Sequence, residues 1–337
     1  MPALVLSQTE VRKLLPMKTC IGLMEQALAT LSKGDAVNPL RQGIRLPGGL
    51  GILGMMPGYM PMPHAFGLKA VAVFPGNHGT EYDSHQGVVL LFDVENGSPL
   101  AILDASEVTA IRTAAATGVA TMLLAREDAH QLAILGSGVQ AATHLEAMSV
   151  VRNIETVRVY SPNPKNREHF ARNATERLRL PVTATESAKE AVDQADIICT
   201  TTSAAEPILL GDWISPGCHI NAVGSSIRST RELDTAAVVR SRLFVDRIES
   251  TVNEAGDFLF PKQEGALTDD HIVGEIGDIL LGKIGARETP DEITLFKSLG
   301  VAVEDLAAAD FVYQAAKREG IGTWVDLGGG GVKSATA

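Results

Sequence analysis

An α/β protein of two domains is expected from three features of the sequence. Strands and helices alternate from residue 131 onward. A glycine-rich strand-to-helix turn opens that run. The first hundred residues have a different texture, with short apolar runs broken by Gly, Pro, Asn and Asp. Alternation at this spacing builds βαβ units and a parallel sheet. A length of 337 residues is also enough for two domains of about 150 residues each.

The elements follow in order. The first 35 residues read as helix: Ser7 to Glu10 has the capping-box spacing, Ile21, Met24, Leu28 and Leu31 share one face, and Gly34 stops the run. Between 39 and 104 the runs GILGMM, LKAVAVF, GVVLLFD and PLAILD read as mostly antiparallel strands, the last two forming a hairpin around Asn96-Gly97. Ser106 to Ala125 reads as a helix whose Ala114, Ala115, Ala116, Gly118 and Ala120 allow close backbone approach, leading out of the first domain. Strand QLAILG, helix VQAATHLEAMSVV and strand TVRVYS then open the alternation. Helix KNREHFARNATERL, strand PVTATES, helix AKEAVDQA and strands DIICTTT, CHINAVG and RLFVD continue it. A last helix, 303–318, lies beyond this run and returns to the first domain, and Gly328 to Gly331 opens a floppy tail.

Composition narrows the function. The chain is 45% hydrophobic and 20% charged, and 40 acidic against 29 basic residues leave a net charge of −11. An acidic surface without a basic patch disfavours nucleic acid. No apolar window has the length of a membrane span and the N-terminus has no signal-peptide layout, so a cytoplasmic protein is expected. Three widely spaced cysteines, Cys20, Cys199 and Cys218, suit a reducing compartment, and no His or Cys spacing suggests a metal. Cys199 and Cys218 read as core, Trp213 and Trp324 as packing residues.

The chemistry centres on Gly136-Ser137-Gly138-Val139-Gln140-Ala141, a GxGxxA fingerprint between strand and helix. Its glycines allow a tight turn and close approach to a pyrophosphate on the helix N-terminus. The second strand of the run ends at Ser161, where an NAD-selective site offers an acid to the ribose. Ser161 with Asn163, Lys165 and Arg167 therefore favours NADPH, with NADH the alternative. In the first domain Arg41, Lys69 and Arg112 stand among apolar or small residues. Buried cations need an anion, and one small carboxylate would serve all three. Ser84 and His85 are the remaining polar candidates there, against a plain loop role. Glu304 and Asp305 read as helix N-terminal charge, with an active-site contact the lesser alternative.

Taken together, these residues resemble the ornithine cyclodeaminase/mu-crystallin family. The resemblance is carried by Gly136, Gly138 and Gln140, by Lys69, and by Arg112-Thr113. It also rests on Pro216 to Gly224, and on Phe296 to Gly300 followed by Glu304-Asp305. It implies a Rossmann dinucleotide-binding domain, residues 116–302, inserted into an α+β substrate and dimerisation domain, residues 1–115 plus 303–337. It implies that Arg41, Lys69 and Arg112 grip a substrate carboxylate, with Ser84 and Ser226 beside it and His85 as a catalytic aid. It places Thr113, Thr201, Thr202, Val223, Gly224, Ser225, Ser298, Leu299 and Gly300 against the cofactor, the nicotinamide lying near Ser225 and the 296–300 segment.

One departure separates activities within the family. Its cyclodeaminases carry an acid shortly after the AVG segment, and here Ser226 stands there, as a small residue does in mu-crystallin-like ketimine reductases. Ejecting ammonia needs that acid, whereas reducing a preformed imine does not. The expectation is therefore a homodimeric NAD(P)H-dependent reductase of Δ1-pyrroline-2-carboxylate or Δ1-piperideine-2-carboxylate. The rivals are ornithine cyclodeaminase, a dehydrogenase of alanine or N-substituted amino acids, and a non-catalytic NADPH- or ligand-binding crystallin-like protein.

Overall fold

The computed structural model describes residues 2–77 and 80–328. The chain opens with strand β1 (Pro2–Leu6), helices Gln8–Leu14 and Met17–Lys33, and strands β2 (Gln42–Arg45), β3 (Ile52–Met60), β4 (Ala65–Val73), β5 (His85–Phe92) and β6 (Pro99–Asp104). Helix Ala105–Leu124 leads to β7 (Gln131–Leu135), β8 (Thr156–Tyr160), β9 (Val182–Ala184), β10 (Ile197–Thr200), β11 (His219–Ala222), β12 (Ser241–Val245), β13 (Ile272–Glu275) and β14 (Ile293–Lys297). Helix Ala302–Glu319 and β15 (Thr323–Asp326) follow. The residues group into two compact units, one of 1–16, 34–109 and 302–337, the other of 17–33 and 110–301.

In the first unit a seven-stranded sheet runs β15-β1-β6-β5-β4-β3-β2, antiparallel except where β1 lies parallel to β6. Side chains alternate across a strand, so one face of β4 carries Ala65, Gly67 and Lys69 and the other Phe66, Leu68 and Ala70. Helix Ala302–Glu319 packs on β3, β4 and β5. The expected hairpin is present: β5 and β6 pair antiparallel across the Asn96-Gly97 turn.

In the second unit an eight-stranded, wholly parallel sheet runs β13-β12-β14-β11-β10-β7-β8-β9. The order reverses between β7 and β10, the switch point at which open α/β sheets bind ligands beyond the strand C-termini. Helix Val139–Val151 matches the expected segment residue for residue.

Several elements differ from the sequence reading. The first 35 residues are not all helix, because β1 slots between β15 and β6. Ser7 still caps the first helix, its N–H and Oγ donating to the Glu10 carboxylate at 2.8 and 2.7 Å. Helix Met17–Lys33 groups with the second unit, packing on helices Val139–Val151 and Ile276–Leu280. Strands β13, β14 and β15 were not anticipated. Trp213 packs on the core as expected, whereas Trp324 is half-exposed on edge strand β15. The tail from residue 329 lies outside the described residues.

The second core contains two neutral histidines. His219 bonds Thr294 Oγ1 at 2.9 Å and Asn221 Oδ1 at 3.0 Å. His144 bonds the Gln140 carbonyl at 2.7 Å and Thr117 Oγ1 at 3.1 Å. Burial pushes His219 down to about 3 and His144 to about 4. The folded state keeps both neutral, while the unfolded chain protonates them near 6.5, so stability is lost as pH falls below about 6.5 toward those values. At pH 5 the loss should be about 2 kcal/mol per histidine. Urea midpoints at pH 7.5 and 5 should show it, and His144→Asn should reduce the drop; a pH-independent midpoint would refute the assignment.

Candidate active site

The fingerprint folds as the pyrophosphate chemistry requires. Gly136 adopts φ 121°, and a Cβ there would lie 2.6 Å from the Thr201 carbonyl, so only glycine fits. Gly138 caps helix Val139–Val151 with open space where its side chain would be. Ser137 donates to Ser161 Oγ at 2.9 Å, tying the turn to the end of β8. The loops after β10, β11 and β14 gather beside it. The N–H of Thr201 donates to Leu135 (2.8 Å), that of Gly224 to Thr200 (3.1 Å), and that of Ser298 to Ala222 (3.0 Å). Two buried side-chain atoms among these residues, Gln140 Oε1 and Ser298 Oγ, have no hydrogen-bond partner among the described residues. A glycine cradle at a helix N-terminus with orphaned polar atoms around it fits a dinucleotide.

Around the strand ends the expected residues fall into distinct roles. Thr201, Thr202, Val223, Gly224, Ser225, Ser298, Leu299 and Gly300 all sit on these loops, and Ser226 is half-buried one residue beyond Ser225. Asp246, at the end of β12, accepts the N–H groups of Leu299 and Gly300 at 2.6 Å each and shapes their loop. Arg112, 3% exposed on helix Ala105–Leu124, lays its guanidinium on Gly300: a Cβ at that residue, whose φ is 77°, would meet an Arg112 nitrogen at 2.3 Å. Thr113 is buried next to it.

Arg167 corrects one expectation. Its guanidinium is buried and donates to the Ser161 carbonyl at 3.2 Å and to Glu186 at 2.8 Å. It braces the end of β8, while Asn163 and Lys165 face solvent, Asn163 capping the following helix through the Lys165 N–H at 3.0 Å.

In the first unit Lys69 is 3% exposed on β4 and its partner is Asp305, 0% exposed. Nζ lies 2.8 Å from one carboxylate oxygen and donates to the other at 3.0 Å and to Thr109 Oγ1 at 3.3 Å. Asp305 is therefore more than a helix-start charge, and the Lys69 ammonium has a protein anion before any substrate arrives. Arg41 precedes Gln42, which pairs with Met55, and Met56 pairs with Lys69. Arg41 thus stands level with Lys69 two strands away, a backbone separation of about 10 Å. His85 lies farther along the sheet. It pairs with Val73, four residues along β4 from Lys69 and about 13 Å off, and its Nδ1 meets Ser84 Oγ at 3.0 Å.

Asp246 was not anticipated, and Asp305 had an active-site contact only as its lesser alternative. The spacing of Asp305 beside Glu304 looked like ordinary helix-start charge, and nothing local to Asp246 signals its two N–H partners. Cys199 and Cys218 are buried thiols, burial pushing Cys199 up to about 12 and raising Cys218 as well. Among the described residues no group of three His, Cys, Asp or Glu is placed to hold a metal ion, and no helix is long and apolar enough to cross a membrane.

Comparison with known proteins gives the same picture. Mouse ketimine reductase mu-crystallin is 40% identical over 295 residues, 87% of this chain and 90% of that protein. A Δ1-pyrroline-2-carboxylate reductase of Bacillus cereus is 36% identical over 325 residues, 96% of this chain and 100% of that one. The Thermococcus litoralis Δ1-pyrroline-2-carboxylate reductase, solved with NADH and L-proline, superposes with a TM-score of 0.94 at 42% identity, covering 96% of this chain and 100% of that one. The family model matches residues 1–320, and the chain belongs to the ornithine cyclodeaminase/mu-crystallin family.

Proposed function

We propose that the protein is a cytoplasmic NAD(P)H-dependent reductase of cyclic ketimine carboxylates. Δ1-Pyrroline-2-carboxylate would give proline and Δ1-piperideine-2-carboxylate pipecolate. The observation that carries this reading is that one chain holds both a dinucleotide cradle at Gly136–Gln140 and a buried lysine on β4, and has Ser226 in place of an acid. The reductase names of the similar proteins support it. We assign substrate binding and dimerisation chiefly to the unit of residues 1–16, 34–109 and 302–337, and the cofactor to the unit of 17–33 and 110–301, in place of the expected division at 115/116 and 302/303.

Residue roles follow from chemistry. Gly136, Gly138 and the N-terminus of helix Val139–Val151 would hold a reduced nicotinamide dinucleotide, whose chemistry would be hydride donation to the imine carbon. Arg41 and Arg112 hold the substrate carboxylate. Lys69 adds its positive field and gives a proton to the ring nitrogen, with Asp305 and Thr109 fixing its direction. Holding the reactants in one geometry accounts for much of the rate. A panel of cyclic imines, keto acids with amines, and ornithine, followed by NADPH oxidation, tests the reading. Ornithine converted to proline and ammonia without net cofactor change would overturn it.

Loss of Lys69 alone strands the Asp305 charge in the interior, at a cost of roughly 3–5 kcal/mol. Lys69→Ala combined with Asp305→Asn avoids this. That double variant should lose at least about 100-fold in kcat/KM yet bind NADPH nearly as wild type. Near-normal imine reduction would remove Lys69 from the site.

Ser161 offers no carboxylate to repel a 2′-phosphate, and Lys165 is exposed nearby, so NADPH should be preferred. Ser161→Asp should move the NADPH/NADH ratio of kcat/KM toward NADH by about 1–3 kcal/mol. A tenfold NADH preference in the wild type would refute the assignment.

The first sheet leaves an apolar face for a second copy. Opposite the Lys69 side, Met55, Pro57 and Tyr59 on β3 pair with Ala70, Leu68 and Phe66 on β4, which pair with Val88, Leu90 and Phe92 on β5. Phe66 is 43% exposed and Leu53 40%. An apolar patch of this kind marks an association surface. Light scattering at micromolar concentration should give a homodimer, and Leu68→Lys a monomer; a monomeric wild type contradicts the proposal.

A further inference from the structure

The second unit contains a buried carboxylate that the reaction outlined above does not use. Glu232 is 0% exposed. It accepts hydrogen bonds from Thr200 Oγ1, Thr202 Oγ1, and the N–H groups of Thr202 and Gly224 at 2.7 Å each, and from the Ser225 N–H at 3.3 Å. One side chain thus ties the loop after β10 to the loop after β11. Beneath it Asp257 accepts the N–H groups of Glu232 and Leu233 at 2.8 and 3.0 Å and pairs with Lys297 at 2.8 Å. Lys297 also donates to the carbonyls of Ala222 and Ser225. Asp257 and Lys297 are 2% and 1% exposed.

The charge state of this cluster follows from its partners. Burial and the neighbouring Asp257 raise the Glu232 carboxyl above its ordinary range, outweighing Lys297 and the threonine hydroxyls, which lower it. Against that, both of its oxygens accept from backbone N–H groups, which can only donate, and this geometry favours the ionised form. Two carboxylates and one ammonium leave one net negative charge sealed beneath the two loops.

We infer that Glu232 is a positioning residue for the cofactor, locking these loops together and holding a negative charge that favours the oxidised nicotinamide over the reduced one. The inference rests on the dinucleotide reading above. With the pyrophosphate on the Gly136–Gly138 turn and the adenosine half over β8, the nicotinamide half belongs over β10 and β11. The oxidised ring carries a positive charge and the reduced ring none. A fixed charge in a dry interior acts far more strongly than one in water. Glu232 then also stabilises the positive charge that grows on the ring as hydride leaves, with no reorganisation at that moment.

The test is cofactor binding without substrate. NADPH affinity is read by fluorescence and NADP+ affinity by displacement, in wild type, Glu232→Gln, Asp257→Asn and Lys297→Met. The ratio of the NADP+ to the NADPH dissociation constant should rise about tenfold in the first two variants. It should fall in Lys297→Met, which leaves more negative charge. A merely structural clamp would weaken both forms by one factor, and an unchanged ratio overturns the inference. If Glu232→Gln does not fold, the opposed shifts in the other two variants decide the matter. A wild type that binds neither form overturns the dinucleotide reading, and this inference with it. A wild type that binds both but reduces no imine overturns only the assigned reaction.

Discussion

A lysine inside a sheet-and-helix core must have an anion within reach, and Lys69 finds it in Asp305, 236 residues later in the chain. An ammonium stranded without that carboxylate would cost several kcal/mol. The pair forms because the chain comes back after the whole parallel-sheet unit and lays helix Ala302–Glu319 across β3, β4 and β5. The Lys69–Asp305 pair thus closes only when the chain returns to the first unit. The strand that carries Lys69 and the helix that carries Asp305 lie on opposite sides of the second unit in the chain. The pair adds little net stability beside apolar packing of equal volume; its value lies in a charged group held at one place and in one direction.

The second unit follows the same rule with different groups. Carboxylates at or near strand C-termini organise backbone N–H groups there: Asp246 holds Leu299 and Gly300, and Glu232 holds Thr202, Gly224 and Ser225. Loops would otherwise leave those donors unpaired against a bound ligand. Each satisfied N–H fixes a loop whose shape no propensity specifies, and together they define the crevice beyond β7, β10, β11 and β14. The arrangement is preorganised, because the groups that shape the crevice are already bonded to protein.

Much of this was legible in the sequence. The fingerprint was readable because glycine at Gly136 answers a local demand, a positive φ against the Thr201 carbonyl, which leaves a mark at a single position. Helix Val139–Val151 and the β5–β6 hairpin were readable for the same reason, since capping and turn chemistry are local. Lys69 stood out because a charge on an apolar strand breaks the alternation. What escaped reading depends on distant partners. Strand β1 is a strand only because β15 and β6 flank it, and its five residues run straight into a helix cap. Arg167 read as a cation for the cofactor phosphate, whereas Glu186 and the Ser161 carbonyl are brought to it in the fold. Asp305, Glu232 and Asp246 are ordinary acids in sequence, and their roles arise from donors supplied by other segments.

Under the proposed function the protein reduces a carbon–nitrogen double bond by hydride addition. The most direct measurement uses NADPH deuterated on the transferring face of C4 with Δ1-piperideine-2-carboxylate, the product being examined by NMR. Hydride addition requires one deuterium at carbon 2 of pipecolate for each cofactor oxidised. Cofactor oxidation without label at that carbon, or no oxidation with any cyclic ketimine carboxylate, would contradict it.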